Sequence, residues 1–354
     1  MAIDDTEAAT GAETEPSHVR SRLLLLAAVV VLVGLALFTL PGIGDVRHRL
    51  ASADPAWIVL TGLFSLLSSF GFVLTLWAAF DRLVPPRRAT VLGFAEQGAN
   101  VLLPSGGVGG PALGTMVMRR AGVPSHYAAE RHAVVFLATS LVGFVGLTVA
   151  GLLVAAGVLP GDVALVGSLL PAAVAVAILT GATFVASRPL PAPGTGRVRR
   201  ALRPIITVVH DGAHTTLQLL RRGDPWLVLG SLAFYAFDVA ALGVSFQAVG
   251  GEGLPVGLFV LAYTLGHAGA LIPTPAGIGG TEGGLIGMFT LYGAPPDAAT
   301  AAVLGYRVFQ LGLPALLGAL ALVRIQHRLT TGPDTEEVAA RFAAVAGEGD
   351  AASS

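Results

Sequence analysis

The chain has 354 residues, 54% of them hydrophobic and only 12% charged, with a formal net charge of −1 and a mean hydropathy of +0.75. So little charge cannot cover a soluble surface, and the apolar residues fall in blocks near the roughly 20 needed to cross a bilayer, which makes this an integral membrane chain. It contains no cysteine, which excludes a disulfide framework, a thiol nucleophile and thiolate metal ligation.

Residues 1–19 form an acidic, polar segment without the basic leader of a cleaved signal, and a disordered tail is expected there. The first apolar block, 23–40, follows Arg20 and Arg22 and reads as a retained span. Further full spans are expected at 56–80, 133–157, 163–186, 226–249 and 298–323, about six in all. Residues 330–354 are polar, a disordered or weakly helical tail. Two other apolar stretches are interrupted. The first, 91–118, is broken by the run Pro104-Ser105-Gly106-Gly107-Val108-Gly109-Gly110-Pro111, and the second, 256–291, by Pro273-Thr274-Pro275-Ala276-Gly277-Ile278-Gly279-Gly280. Proline removes a backbone donor and glycine frees the chain, so neither break is ordinary helix. The pieces are short for hydrocarbon, and each break is either a re-entrant hairpin or a pair of half-spans.

The two breaks share a pattern. Gly107-Val108-Gly109-Gly110 aligns with Gly277-Ile278-Gly279-Gly280, and Ala121-Gly122-Val123-Pro124 with Tyr292-Gly293-Ala294-Pro295 after a one-residue shift. Each break lies between two full spans. Two chance breaks in a glycine-rich chain are the alternative to duplication; the shared spacing favours duplication. The expected fold class is an all-α polytopic membrane protein, with about six full spans and two broken or re-entrant helical hairpins arranged as an inverted repeat. The transmembrane domain is expected over 20–329, with repeat units at 56–157 and 226–323 and an Arg-rich linker at 188–225.

Every basic residue is arginine. The arginines of 188–222, together with Arg20, Arg22, Arg324 and Arg328, place the linker and both termini on the cytoplasmic side of a cell membrane. Arg47 and Arg49 fall outside under that arrangement and count against it. The basic run from Arg197 to Arg203 reads as a contact with anionic lipid, not with nucleic acid.

Irregular backbone at membrane depth needs protein or a wet cavity around it, so a cavity is expected between the breaks. The glycine N–H groups at Gly107, Gly109, Gly277, Gly279 and Gly280, with Pro275 in the second turn, make a cradle for an anion such as a lipid phosphate, or alternatively serve close helix packing. Ionisable residues inside apolar blocks cost a few kcal/mol each and stand out for that reason. Glu282 opens a short helix, either as a cap or as a binding group. Arg307, beside Tyr306 and Gln310, needs an anion, with Glu282 the internal choice and a lipid phosphate the external one. Asp238 sits mid-span. Glu96, Gln97 and Asn100 enter the first break. Glu130 and Arg131 read as an interfacial pair opening a span. His267 precedes the second break, as a proton shuttle or as an ordinary hydrogen-bonded histidine. The scattered histidines show no metal spacing, and no cofactor is called for.

The run from Pro273 to Glu282 resembles the Pro-x-Pro-Gly-Gly-x-Gly-x-x-Glu stretch of the transmembrane, flippase-like half of lysylphosphatidylglycerol synthase and its stand-alone relatives. Gly293-Ala294-Pro295, Tyr306-Arg307, Asn100 to Pro104 and Glu130-Arg131 are similar to further motifs of that family. The Gly-Glu-x-x-Arg continuation of the first motif is missing, since this chain has Gly109-Gly110-Pro111-Ala112-Leu113. The soluble aminoacyl-transfer domain has no counterpart. The resemblance implies a non-enzymatic protein that translocates or scrambles a phospholipid or polyprenyl-phosphate-linked lipid. The alternative is a non-transporting assembly partner of a glycosyltransferase or lipid-modifying enzyme.

Overall fold

The computed structural model describes residues 44–102, 108–190, 197–251, 253–271, 277–328 and 340–342. The expected span at 23–40, both tails apart from 340–342, and the turn residues Gly107 and Pro275 lie outside them. Among the described residues the chain is helical: α1 (Gly44–Ala51), α2 (Pro55–Ala79), α3 (Pro86–Leu102), α4 (Gly109–Arg120), α5 (Ser125–Ala155), α6 (Leu165–Ala186), α7 (Arg197–Arg221), α8 (Pro225–Ala248), α9 (Val256–Gly266), a 3-10 turn (His267–Leu271), α10 (Gly280–Leu291) and α11 (Pro296–Arg328). Five helices are long and apolar enough to cross a membrane: α2, α5, α6, α8 and α11. They coincide with the five expected spans that fall on described residues. The chain is an all-α polytopic membrane protein.

Local sequence explains the helix ends. Both α2 and α8 begin at an Asp-Pro pair. Asp54 accepts from the Ala56 N–H at 2.8 Å, and Asp224 accepts from Trp226 and Leu227 at 3.0 and 3.1 Å. Each aspartate satisfies otherwise orphaned donors, and the proline at the first helical position loses nothing. The ends of α4 and α10 are built alike. Gly122 and Gly293 take φ of +83° and +105°. Val123 N–H then donates to Met118 O at 3.0 Å, and Ala294 N–H to Phe289 O at 2.9 Å. Only glycine adopts that left-handed turn without strain.

The α2–α8 contact centres the molecule. The Phe64–Phe237, Phe72–Phe234 and Trp77–Trp226 ring pairs run up one helix and down the other, so the two are antiparallel. A methyl group added at Gly71 would sit 2.4 Å from Phe234 N, and one at Gly230 would sit 2.6 Å from Thr75 N. The Ser68 hydroxyl donates to Phe234 O at 2.8 Å. Small residues and a hydroxyl bond are what hold helices together where apolar burial gives no preference over lipid.

Both broken segments fold back on themselves. In the first, α3 lies against α4, and Gly110 N–H donates to Asn100 Oδ1 at 2.7 Å. In the second, α9 and its 3-10 turn lie against α10 so closely that a methyl group at Gly284 would fall 2.2 Å from Gly266 O. The 12-residue arms α4 and α10 span roughly 18 Å at 1.5 Å per residue, short of a core of about 30 Å. These dimensions fit re-entrant hairpins.

Two features differ from expectation. Most of the 188–225 linker is helix α7, laid along α5 and α6. Arg49 does not stand as a free exterior charge: it pairs with Asp297 at 2.5 Å and donates to the Val249 and Gly250 carbonyls. Neutralised at the end of α8, it carries less orientational weight than a free arginine.

Candidate functional site

The second hairpin, α8 and the last span bring Glu282, Arg307, Asp238, Tyr306 and His267 into one polar tract. Glu282 stands at the third position of α10. Its Oε2 accepts from Gly279 N–H at 2.6 Å, the half of a capping box that a glycine cap allows. Its Oε1 accepts from Arg307 Nε at 2.6 Å. The Arg307 side chain is 8% exposed and that of Glu282 15%, so the pair is desolvated. Arg307 also donates through Nη1 to Gln310 Oε1, three residues along α11. Gly277 and Gly279 hold φ of +67° and +89°, and Gly280 is buried at the start of α10. The turn therefore points a backbone donor at an anion, and the anion it holds here is the chain's own carboxylate.

One residue earlier on α11, Tyr306 faces the neighbouring helix. Its hydroxyl donates to Asp238 Oδ2 at 2.8 Å, and Tyr263 on α9 donates to the same oxygen at 2.5 Å. Asp238 is buried, and two phenol donors are the compensation such a carboxylate needs. His267 packs against Tyr263 with the rings tilted at 45° and their centroids 4.3 Å apart, and its Nδ1 lies 3.0 Å from Tyr263 O. Its Nε2 is buried without a hydrogen-bond partner among the described residues.

The first hairpin is organised differently. Asn100 staples its two arms, and Gly109 is buried at the start of α4. Gln97 donates to Ser69 O at 3.3 Å. Glu96 is fully buried and meets His132 Nε2 at 3.0 Å. Glu130 and Arg131, expected as a pair, are separated: adjacent residues on a helix point different ways. Glu130 accepts from Thr215 at 2.6 Å, while Arg131 pairs with Asp81 at 2.7 Å and lies over the Tyr127 ring.

Tyr263 and His132 were not legible as site residues. Tyr263 sits in an apolar run and His132 directly follows Glu130-Arg131, and only the fold sets them opposite a carboxylate. The expected cavity would be lined by turn residues outside the described set. A groove of about 660 Å³ between α5 and α6 is apolar, lined by Leu152, Leu169, Val176 and Phe184 among others.

The family model described as lysylphosphatidylglycerol synthase TM region matches residues 23–318. A UPF0104 membrane protein of Methanothermobacter thermautotrophicus is 34% identical over 102 residues, covering 28% of this chain and 29% of that relative.

Proposed function

The chain belongs to the lysylphosphatidylglycerol synthase TM region family, and from that premise we propose that it moves a phospholipid or polyprenyl-phosphate-linked lipid between leaflets without covalent chemistry. The observation that carries the reading is the Glu282 carboxylate, held between Gly279 N–H and Arg307 at 2.6 Å each. An arginine inside the membrane requires an anion, and a lipid phosphate offers the same charge and acceptor oxygens as the carboxylate. A headgroup entering the second hairpin takes Arg307 from Glu282. Glu282 keeps its bond to Gly279, so the exchange leaves no backbone donor bare.

In this reading, 56–157 and 226–323 are inverted repeats and the site lies where a broken helix meets a full span, as in many secondary transporters. The antiparallel α2–α8 contact, the paired Asp-Pro starts and the matching turns at Gly122 and Gly293 support it. The arginine pattern supports cytoplasmic termini in a cell membrane.

The test is reconstitution of the full chain into phosphatidylcholine vesicles carrying a fluorescent anionic phospholipid, with an external quencher reporting movement between leaflets. Wild type exchanges the probe, and Glu282→Gln and Arg307→Ala abolish the exchange in protein that remains helical and monodisperse. Wild-type rates in both variants would remove the site. An inert wild type that co-purifies with a glycosyltransferase would replace transport with an assembly role.

A further inference from the structure

The first hairpin holds a titratable pair that the transport reading leaves unused. Glu96 on α3 is 0% exposed and His132 on α5 is 6% exposed. His132 Nδ1 lies 2.7 Å from Ala128 O, and a carbonyl oxygen only accepts, so that nitrogen carries a hydrogen. Nε2 then lies 3.0 Å from Glu96 Oε1. A bare imidazole nitrogen and an ionised carboxylate would face each other with lone pairs only. One proton must therefore lie between them, as imidazolium with carboxylate or as imidazole with carboxylic acid. Both forms hold the same number of protons and have zero net charge.

We infer that Glu96 and His132 form a one-proton site inside the first hairpin, filled when the hairpin is closed and emptied to water when α4 moves away. While closed, the pair resists change in either direction. Removing its proton leaves an uncompensated buried anion, and adding a second leaves an uncompensated buried cation. Release therefore waits for water: the bond from the proton to Oε1 or Nε2 breaks, water accepts the proton, and the pair becomes net negative.

The covering element is α4. A methyl group at Gly114 would fall 2.0 Å from Glu96 Oε1 and 2.5 Å from His132 Nε2, so α4 lies directly on the pair because that residue has no side chain. Phe80, at the C-terminal cap of α2, closes another side with its ring centroid 5.1 Å from that of His132.

Other charged groups on the surrounding elements are engaged elsewhere or point outward. On α5, Arg131 serves Asp81 and Glu130 serves Thr215. On α11, Arg307 serves Glu282 and Arg324 is exposed. On α4, Arg119 and Arg120 are exposed, and on α3, Arg87 and Arg88 lie in the first turn, nine and eight residues before Glu96. On α7, Asp211 meets His126 and His210, and His214 bonds Ala186 O. On α8, Asp238 is held by two tyrosines, one of them Tyr263 of α9, against which His267 packs. On the α2 side, Asp81 binds Arg131, and Arg82 binds Asp224.

The coupling of this site to lipid movement rests on the transport reading; the proton site itself does not, and two measurements separate them. The first is an infrared pH titration of purified full-length protein. Among the protonation steps of wild type, one is expected to be lost in both Glu96→Gln, which keeps a donor towards Nε2, and His132→Gln. A step surviving unchanged in both variants overturns the site. The second uses the vesicles above under an imposed pH gradient. The gradient is expected to change the wild-type rate, and Glu96→Gln is expected to keep lipid movement while losing that response. A gradient response of wild-type size in Glu96→Gln overturns the coupling. If wild type moves no lipid, transport and coupling fall together, and the infrared step alone decides the proton site.

Discussion

Replacing Arg307 with methionine removes the cation but keeps a long apolar side chain in its place. The pair it leaves is 2.6 Å long between side chains only 8% and 15% exposed. Breaking a buried pair from one side costs about 3–5 kcal/mol, because the remaining charge has no solvent. A neutral hydrogen bond between membrane helices averages only about 0.6 kcal/mol. The two magnitudes differ enough to decide what the contact is. Arg307→Met should fall in the higher range. Glu282→Gln should cost less, because glutamine still accepts from Gly279 and Gln310 still accepts from Arg307. The double variant removes both charges and should sit well below the sum of the singles. Unfolding in mixed micelles, followed by circular dichroism, gives all four stabilities and hence a coupling energy. A coupling at or below about 0.6 kcal/mol would show an ordinary hydrogen bond and refute the desolvated ion pair.

Other outcomes follow from the geometry. Alanine at Gly71 or Gly230 puts a methyl group 2.4 or 2.6 Å from backbone nitrogen, and each should cost about 1–3 kcal/mol in micelle unfolding. Tyr306→Phe leaves Asp238 with one phenol donor instead of two and should cost about 1–3 kcal/mol, with Tyr263→Phe non-additive to it in a double-mutant cycle. Arg49→Gln breaks a half-exposed pair and should change stability by under about 1 kcal/mol. His210 titrates above its ordinary value because its ring nitrogens meet Arg188 O and Asp211. Its contribution is fully present below the unfolded-state pKa near 6.5 and is lost as pH rises through the higher folded value. A histidine-resolved NMR titration that places its midpoint below 6.5 would contradict those contacts.

The spans were legible because their signal is composition over a length the bilayer fixes, and 56–80 and 226–249 end within a residue or two of α2 and α8. The breaks were legible because proline and glycine act locally. Glu282 and Arg307 stood out, each being a rare charge in an apolar run, but the sequence left open whether Arg307 meets Glu282 or a lipid phosphate. Asp238 stood out for the same reason and Tyr306 was named for its place beside Arg307, but Tyr263 was not, because tyrosine is unremarkable in a membrane helix. Glu96 was visible and His132 was not, since their pairing depends on α3 and α5 meeting beneath Gly114. Glu130 and Arg131 misled through adjacency, as neighbours in the chain are not neighbours on a helix. The amphipathic α7 was read as a linker because its charges dominate its composition.

The crossing of α2 and α8 is almost bare backbone where Gly71 and Gly230 meet the opposite helix. At those two points no side chain could fill a gap, and the Phe72–Phe234 and Trp77–Trp226 ring pairs interlock alongside. The joint therefore resists separation, since a gap there would have to be filled by lipid, and the flanking rings resist swivelling about the point of contact. The Arg82–Asp224 pair, just past the end of α2 and just before α8, ties the same two helices at one rim.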